Sequence, residues 1–233
     1  MVQAQFICLA HSKKYSNRCV AGVRLDTGEW IRPISKEKHG ELTQAQLKLS
    51  DGGEPQNFDV ISACLGQHCP VKNQPENWRV QNSPWKLVSR PAPLERAAVL
   101  KKTLFRESVL FGNTTDRVAY CVFEKAPAKE SLVLAKPSHP RWTVKRTLTW
   151  KKQLRVTFGL GPVNYDLAVT DIPYDDMLKD LELGEYSSEQ LGIRNENAIY
   201  FTISLGEPLD NGFCFKLVAA VLQLPNGWPS LDE

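Results

Sequence analysis

The amino-acid sequence predicts a mainly β protein with a few short helices, in which two small β-barrels follow one another along the chain. Short runs of β-branched and aromatic residues alternate with turn residues throughout, which is typical of strands joined by tight connections. Each half of the chain holds about five such runs and one stretch with helical spacing. The 233 residues, 42% of them hydrophobic, are enough for two packed units of ordinary domain size.

The first half is predicted to begin with a strand, a loop and a hairpin. The strands occupy 4–10, 18–25 and 29–35, the loop is 11–17, and the hairpin turns at Asp26-Thr27-Gly28. Residues 36–56 are polar and contain several glycines, which predicts a long loop. Further along, the pattern predicts strands at 58–66, 85–90 and 117–123 and a helix within 94–105.

The second half repeats this composition in kind, without a detectable residue-level repeat. The proline-rich stretch 125–142 separates the halves, so we expect a first domain at 1–125 and a second domain at 126–233. Strands are predicted at 142–150, 154–158, 165–171, 198–207 and 213–224, and a helix is predicted at 173–181. The last strand is apolar on both faces, which indicates that the two halves pack tightly against each other.

Charge is distributed unevenly along the chain, although the formal net charge is only +3. Residues 1–25 and 136–155 carry several lysines and arginines and no acidic residue, whereas 166–210 is mainly acidic. If the two basic zones lie side by side in the fold, they form one patch for a polyanion. The alternative is that both zones are ordinary solvated strand faces.

Three segments carry a family resemblance: ICLAHSKKYSNRCVAGVRLDTGEWIRPIS near the start, YDLAVTD in the second half and FTISLGEPLDNGFCFKLVAAVL near the end. Together they resemble the dual OB-containing domain family, bacterial proteins built as tandem OB folds. His11 departs from the family pattern, which more typically has asparagine there, and this counts against a histidine ligand. Members of the family occur near mobile-element and defence genes. The resemblance therefore implies an accessory of such a system, with a protein partner encoded by a neighbouring gene.

The segment around the first predicted loop places Cys8, His11 and Cys19 beside a short basic run. This arrangement is compatible with a metal site, a catalytic centre or a phosphate-binding loop. Structural zinc sites use two cleanly spaced ligand pairs, and only Cys8 and His11 form one here, because His68 and Cys69 are adjacent. Cys8 also lies among apolar residues, where a thiol behaves as a small hydrophobe. We therefore expect no metal and no cofactor, and we favour the loop.

No segment of the sequence carries a motif for a named reaction. A nucleophilic cysteine needs a base in reach, and nothing in the sequence places His11 or His39 beside Cys19. The nucleophile elbow, the phosphate-binding P-loop and the paired-histidine zinc motif are all missing. Asp171 and Glu207 could act as acid and base, but a helix start and a turn explain them better. We expect no catalytic residue, and an enzyme is a less favoured alternative.

Binding of single-stranded DNA or RNA accounts for more of the sequence than the other hypotheses. OB folds hold nucleic-acid strands on a barrel face and its loops, where aromatic rings stack on bases and cations contact phosphates. The first half offers a group of candidate contacts: Lys13, Lys14, Tyr15, Arg18, Trp30 and Arg32. The second half interleaves cations and rings: Arg141, Trp142, Lys145 and Arg146, continued by Trp150, Lys151 and Arg155. The alternatives are core or domain-interface packing for Trp30 and Trp150, and an ion pair with Glu29 or Glu41 for Arg32.

Two other functions stay open. A sensor of a nucleotide-like small ligand would use four residues in the cleft between the barrels: Arg18, Arg32, Asp171 and Glu207. A protein adaptor would pair its exposed barrel edges with a larger effector. No stretch is apolar over the ~20 residues of a membrane helix, and the N-terminus lacks the features of a secretory signal. The cysteines are also too sparse for a disulfide scaffold, so we expect a cytoplasmic protein without a membrane partner.

Overall fold

The computed structural model describes residues 2–81, 83–90, 92, 94, 97–194, 199–225 and 227–231. Over these residues the protein is mainly β, with fifteen strands and four short α-helices arranged in two sheets. The first sheet closes as a five-stranded barrel, named barrel 1, and the second sheet follows the same strand order and is named barrel 2. The predicted fold class, two OB-type barrels in tandem, is confirmed.

Barrel 1 is built from strands β1 to β6, which are Val2–Lys14, Asn17–Arg24, Trp30–Ile34, Val60–His68, Asn77–Val80 and Lys86–Ser89. The order β1-β2-β3-β5-β4 returns to β1, because β1 pairs with β4 along its first half and with β2 along its second. A register shift between Cys8 and Ala10 marks the change of partner. β3 and β5 pair in parallel and complete the ring. The connection from β3 to β4 contains helix α1, Gln44–Leu47.

Barrel 2 has an equivalent first strand that is broken in two. Its five main strands are β9 (Leu132–Ala135) with β10 (Ser138–Arg146), β11 (Lys152–Leu160), β12 (Val163–Val169), β14 (Ile199–Pro208) and β15 (Phe213–Gln223). β9 pairs with β14, and β10 pairs with β11. Pro137 lies between β9 and β10 and has no N–H to donate, which interrupts the ladder where the strand changes partner. The parallel pair of β12 with β15 and the antiparallel pair of β15 with β14 complete the ring.

The remaining elements lie around the two barrels. They are α2 (Ala97–Thr103), β7 (Leu104–Phe105), β8 (Arg117–Ala119), α3 (Tyr120–Lys125), α4 (Ile172–Met177) and β13 (Gly184–Tyr186). β7 pairs with β9 and β8 pairs with β15, so strands of the second sheet begin at Leu104. The domain boundary within 125–142 stays a prediction. None of the helices in the described ranges is long and apolar enough to cross a membrane.

Successive side chains along the strands enter different cores, because they point to opposite faces. In β1, Phe6 lies in the interior of barrel 1, whereas its neighbour Ile7 lies in a cluster shared by the two barrels. In β15, Val218 lies inside barrel 2 and Ala219 lies in the shared cluster. All four side chains are buried. The expectation that the halves pack tightly, drawn from the two apolar faces of the last strand, is confirmed.

Three predicted elements are corrected by the structure. Residues 11–14 continue strand β1, and the predicted loop 11–17 is a two-residue turn at Tyr15-Ser16. Only 117–119 of the predicted strand 117–123 is extended, and helix α3 follows it. The predicted strand 142–150 ends at Arg146, before an exposed turn. In each case the pairing between strands decides where the element ends. β1 stays paired with β2 as far as Lys14, β8 with β15 as far as Ala119, and β10 with β11 as far as Arg146.

Other boundaries shift by a few residues, and some elements escaped prediction. The predicted helix at 94–105 is described as α2 from Ala97 to Thr103, and residues 95 and 96 lie outside the described residues. Strands β5, β9 and β13 and helix α1 had no clear sequence signal, because each is only three or four residues long. The three strands pair with β3, β14 and β10, which lie far from them in the sequence, so a local pattern cannot reveal them.

Candidate ligand-binding site

A cavity of about 540 Å³ lies between the two barrels. OB folds bind ligands on the face of their second and third strands and on the connections between strands 1 and 2 and strands 4 and 5. In barrel 1 these connections are 15–16 and 69–76, and they line the cavity with Tyr15 and Gln74. In barrel 2 these connections are 147–151 and 209–212. The first contributes Thr147, Leu148 and Thr149 to the cavity wall, and the second contributes Leu209. All four ligand-binding connections therefore meet around one cavity.

The second and third strands of each barrel also line this cavity. Barrel 1 contributes Cys19 from β2 and Arg32 from β3, and barrel 2 contributes Gln153 and Arg155 from β11 and Ala168 from β12. The outward face of β15 forms another wall with apolar side chains, Phe215, Leu217 and Ala219. The two barrels thus turn their binding faces toward each other, and the shared core holds them in that orientation.

Arg32 is a charged side chain buried at the cavity wall, only 1% exposed. Its Nη2 donates hydrogen bonds to Oγ of Ser204 at 3.1 Å and to the carbonyl oxygen of Ser131 at 3.5 Å. Its Nη1 has no hydrogen-bond partner among the described residues, and within the same ranges no carboxylate forms an ion pair with the guanidinium. The ion pair with Glu29 or Glu41 considered from the sequence does not form. Burying a cation without an anionic partner is unfavourable, because the charge loses its hydration and gains no ion pair in return.

Lys13 and Lys14 at the tip of the first hairpin are bound to acids of the second half of the chain. Nζ of Lys13 lies 2.8 Å from Oδ2 of Asp175, and Nζ of Lys14 lies 2.5 Å from Oε1 of Glu207. Lys14 also donates to the backbone carbonyl of His39. Both lysines, predicted from the sequence as phosphate contacts, line the cavity, but each already has an anionic partner.

The neighbouring Tyr15 and His39 extend this network at the surface. The Tyr15 ring is half exposed and lies 4.2 Å from the His39 ring, centroid to centroid, with 30° between the ring planes. Nδ1 of His39 is 2.9 Å from Oε2 of Glu207, so Glu207 contacts both His39 and Lys14. Tyr15 has a φ of 53°, which is the left-handed conformation demanded by the tight turn. The turn therefore presents an aromatic ring beside a paired carboxylate.

Arg18 and His11 lie near each other but do not line the cavity. Nε of Arg18 is 3.8 Å from Glu54, and Nε2 of His11 is 3.4 Å from the same carboxylate. Burial lowers the pKa of His11, which favours the neutral ring. Cys8 lies in the core of barrel 1, where burial raises the pKa of its thiol and makes it unreactive. In the described part of the chain no three His, Cys, Asp or Glu side chains are grouped to hold a metal.

Trp142 is buried in the core of barrel 2, only 1% exposed, and this contradicts its predicted role in base stacking. Its ring is stacked near Tyr174 and meets Phe201 edge to face, while its Nε1 donates to Oγ of Ser188. No ring face is left for a ligand. Core packing was considered from the sequence for Trp30 and Trp150, and the structure shows it for Trp142 instead. Trp30 is partly buried against the shared cluster and lines a separate, open cleft.

The turn between β10 and β11 presents the ring and the cations that were expected at Trp142. Trp150 is 75% exposed with a φ of 64°, and the Arg146 guanidinium lies 5.8 Å from the centre of its ring. Arg146 also donates to the backbone carbonyl oxygen of Trp150 at 2.9 Å, which holds the Arg146 side chain against the turn. Lys145 is paired with Asp166 at 3.0 Å, and Arg141 is exposed on the outside of β10.

Asp171 is buried between the barrels and does not line the cavity. Its Oδ2 accepts a hydrogen bond from the backbone N–H of Val221 at 2.9 Å, and its Oδ1 has no hydrogen-bond partner within the described ranges. Burial raises the pKa of Asp171 to about 7. Of the four residues predicted for a small ligand, the structure brings Arg32 and Glu207 to the cavity, and places Arg18 and Asp171 elsewhere.

Sequence reasoning missed several residues that line the cavity: Gln74, Leu148, Leu209 and Phe215. Leu148 had a usable signal, because it is an apolar residue inside a polar turn between two strands and is fully exposed. Gln74 and Leu209 had none, because they lie in irregular connections whose position depends on the packing of one barrel against the other.

Comparisons with known proteins place the chain by its fold. The family model of the dual OB-containing domain matches residues 4–221. Two solved structures align weakly. A murine DNA-binding protein bound with double-stranded DNA has 9% identity and a TM-score of 0.34, over 96% of this chain and 98% of that one. The tetrameric p202 HIN2 has 10% identity and a TM-score of 0.30, over 96% and 92%. The sequences of curated proteins give no match. Since the family model spans nearly the whole chain, the protein belongs to the dual OB-containing domain family.

Proposed function

We propose that the protein binds single-stranded DNA or RNA without catalysing a reaction, and that the strand follows the cleft between the barrels. The observation that carries this proposal is the meeting of four ligand-binding connections, two from each OB fold, around one cavity. A strand that crosses this cleft would contact both barrels at once, which raises its affinity over that of either barrel alone.

The turn between β10 and β11 supplies the stacking group in this proposal. The ring of Trp150 is open to solvent, and Arg146 and the exposed Lys151 lie on either side of it in the sequence. An exposed ring beside cations suits a base and its phosphate, and such stacking has little sequence preference because every base has a π face. Tyr15, at the corresponding turn of barrel 1, offers a second ring across the cleft.

The lysines of the first hairpin contribute less to phosphate binding than free lysines would. A phosphate that contacts Lys13 or Lys14 replaces Asp175 or Glu207, so the lysine exchanges one anion for another. Counterion release on binding comes mainly from cations without an internal partner, and we assign this role to the turn between β10 and β11. Affinity should therefore fall with salt, but less steeply than the number of basic residues suggests.

Fluorescence anisotropy with labelled single strands of about 20 nucleotides tests the proposal, since OB folds bind roughly 4–16 nucleotides each. The replacement Trp150→Ala should weaken binding by roughly 1–3 kcal/mol with little change in salt dependence, and Trp150→Phe should retain most of the affinity. Lys125→Ala, which changes a cation that does not line the cavity, is the matched control. Absence of DNA and RNA binding at low salt, where electrostatic attraction is strongest, contradicts the proposal.

The cellular setting is part of the same proposal. All six cysteines are free thiols, which suits the reducing cytoplasm. The family's position near defence and mobile-element genes supports an accessory of such a system, with a protein from a neighbouring gene as a second partner. Affinity purification from the native host, with and without nuclease, separates the roles. A protein that stays bound after nuclease treatment identifies an adaptor, and loss of all bound protein with the nucleic acid argues against one.

A further inference from the structure

We propose that the cavity between the barrels binds a phosphate group carried by a ligand of nucleotide size, and that Arg32 is the residue that holds the phosphate. This inference rests on Arg32 and the cavity, and it does not require the exposed turn that the proposed function uses. The phosphate can belong to a free nucleotide or to the phosphorylated end of a strand. Competition with phosphorylated and unphosphorylated oligonucleotides distinguishes the two.

The charges around the cavity leave Arg32 as the cation available to a ligand. Among the basic residues that line the cavity, Lys13, Lys14 and Arg155 each have a carboxylate partner. Lys216 donates to the carbonyl and side-chain oxygens of Asn113, and its amine lies 5.1 Å from the centre of the Tyr165 ring in the core of barrel 2. These four cations are therefore satisfied within the protein.

The acids at the cavity are also neutralised. Glu207 contacts both Lys14 and His39, and Asp116 lies 3.4 Å from Nε of Arg117. Repulsion of an incoming anion by these carboxylates is accordingly reduced. Arg32 remains as a buried guanidinium whose Nη1 has no hydrogen-bond partner in the part of the chain that the structure describes, and an anion in the cavity would provide one.

The guanidinium of Arg32 suits a phosphate better than the point charge of a lysine ammonium would. A guanidinium donates charge-assisted hydrogen bonds to phosphate oxygens, and within the described ranges the N–H groups of Nη1 are the ones without a partner. Nη2 is held in place by Ser204 and Ser131, so the group is oriented before a ligand arrives and loses little freedom on binding. The Ser204 side chain also lines the cavity, and its hydroxyl lies beside the guanidinium.

The size and walls of the cavity fit the rest of a nucleotide. A volume of about 540 Å³ is within the roughly 300–1,000 Å³ of small-ligand sites. Phe215, Leu217 and Leu209 give an apolar surface for a planar base, and Thr170 and Gln74 add polar groups for the sugar or the base edge. A mainly apolar wall, with Arg32 as the one lining cation not satisfied within the described part of the chain, fits a ligand with an apolar body and one anionic group.

Isothermal titration calorimetry of the full chain with the four ribonucleoside 5′-monophosphates and the matching nucleosides tests the proposal. We expect saturable binding of at least one monophosphate and at least tenfold weaker binding of its nucleoside. Arg32→Met should weaken monophosphate binding at least tenfold. Arg141→Met, which removes an exposed arginine that does not line the cavity, should leave binding unchanged.

Melting temperatures separate a ligand-binding role from a structural one. Because the Arg32 guanidinium has no carboxylate partner among the described residues, Arg32→Met should melt no lower than the wild-type protein without ligand. If that variant fails to fold, Arg32→Lys takes its place. This substitution keeps the charge but loses the planar guanidinium, so it should bind the monophosphate more weakly. Equal binding by the wild-type protein and a folded Arg32 variant, or no binding of any monophosphate at millimolar concentration, overturns the proposal.

Competition identifies the source of the phosphate. If a 5′-phosphorylated oligonucleotide displaces the monophosphate and the unphosphorylated oligonucleotide does not, the cavity holds a strand end. If neither displaces it, the cavity holds a free nucleotide and the strand does not pass through the cavity. Both results support the phosphate site, and the second contradicts the path proposed for the strand. Trp150→Ala should leave monophosphate binding unchanged, so failure of the strand-binding proposal and failure of this one give different results.

Discussion

Nζ of Lys14 lies 2.5 Å from Oε1 of Glu207, and this contact ties the hairpin tip of barrel 1 to barrel 2. Removal of the carboxylate charge by Glu207→Gln frees Lys14 for phosphate. We expect tighter binding of single strands and a steeper salt dependence, by up to about 0.7 in the slope of log K against log[salt]. Anisotropy titrations over a range of salt concentrations measure both. Glu185→Gln, an exposed acid on β13, is the control, and an unchanged slope for Glu207→Gln would show that Lys14 does not contact phosphate.

Trp142 and Trp150 are expected to respond to substitution in opposite ways. Trp142→Ala removes a buried ring and should reduce the free energy of unfolding by roughly 3–5 kcal/mol. Trp150→Ala removes an exposed ring and should change stability by less than about 0.5 kcal/mol. Urea unfolding of both variants checks this contrast. A stable Trp142→Ala protein would mean that the ring does not lie in the core of barrel 2.

Asp171 should make the protein less stable as the pH rises toward neutrality. Its pKa in the folded protein is about 7, above the roughly 3.9 of an unfolded chain, so the folded state binds more protons between these values. Its contribution to stability is therefore greatest below about pH 4 and is lost as the pH rises through 7. Asp171→Asn should flatten this dependence and be more stable at pH 8, on the order of 2 kcal/mol. Unfolding curves at several pH values measure it. Parallel pH profiles for the two proteins would contradict the assignment.

The two barrels should unfold together. The shared cluster contains side chains from both, including Ile7 from barrel 1 and Leu222 from barrel 2. Leu222→Ala should lower the free energy of unfolding by roughly 2–5 kcal/mol and still give one transition by scanning calorimetry. Two separate transitions in the wild-type protein would show that the cluster does not couple the barrels. Val88→Ala, an exposed position on β6, is the control.

Metal chelation should leave the protein unchanged. The imidazole of His11 lies beside Glu54, and burial of the Cys8 thiol disfavours the thiolate that a metal requires. We expect the same melting temperature with and without EDTA, measured by differential scanning fluorimetry. One tightly held zinc per chain, with unfolding on its removal, would contradict this expectation.

Alternation of apolar and polar residues revealed most strands, because it follows from the two faces of a sheet. The same alternation predicts that Trp142 is buried. Trp142 and Val144 alternate with Arg141 and Lys145, which places the tryptophan on the apolar, inward face of β10. The basic residues on both sides of Trp142 favour a binding role, whereas the period of two predicts the buried position that the structure shows.

The composition of the cavity could not be read in the same way. Lys14 and Arg32 belong to the first half of the chain, whereas Glu207 and Ser204 belong to β14 near its end. Their contacts depend on how one barrel packs on the other, and no local pattern encodes that packing. The sequence could suggest that a cleft exists and that Arg32 and Glu207 belong to it. It could not show that Arg32 has no carboxylate partner among the described residues, or that Lys14 neutralises Glu207.

The shared core has a kinetic consequence for whatever enters the cleft. Ile7 and Ala219 belong to a cluster packed between the barrels, so the cavity does not have to be formed by closure of two hinged domains. A ligand would meet a site that is already assembled, and its association would follow a single exponential whose rate rises linearly with ligand concentration. Stopped-flow traces that instead reach a plateau rate at high concentration would reveal an opening step, and the barrels would then have to separate before each binding event.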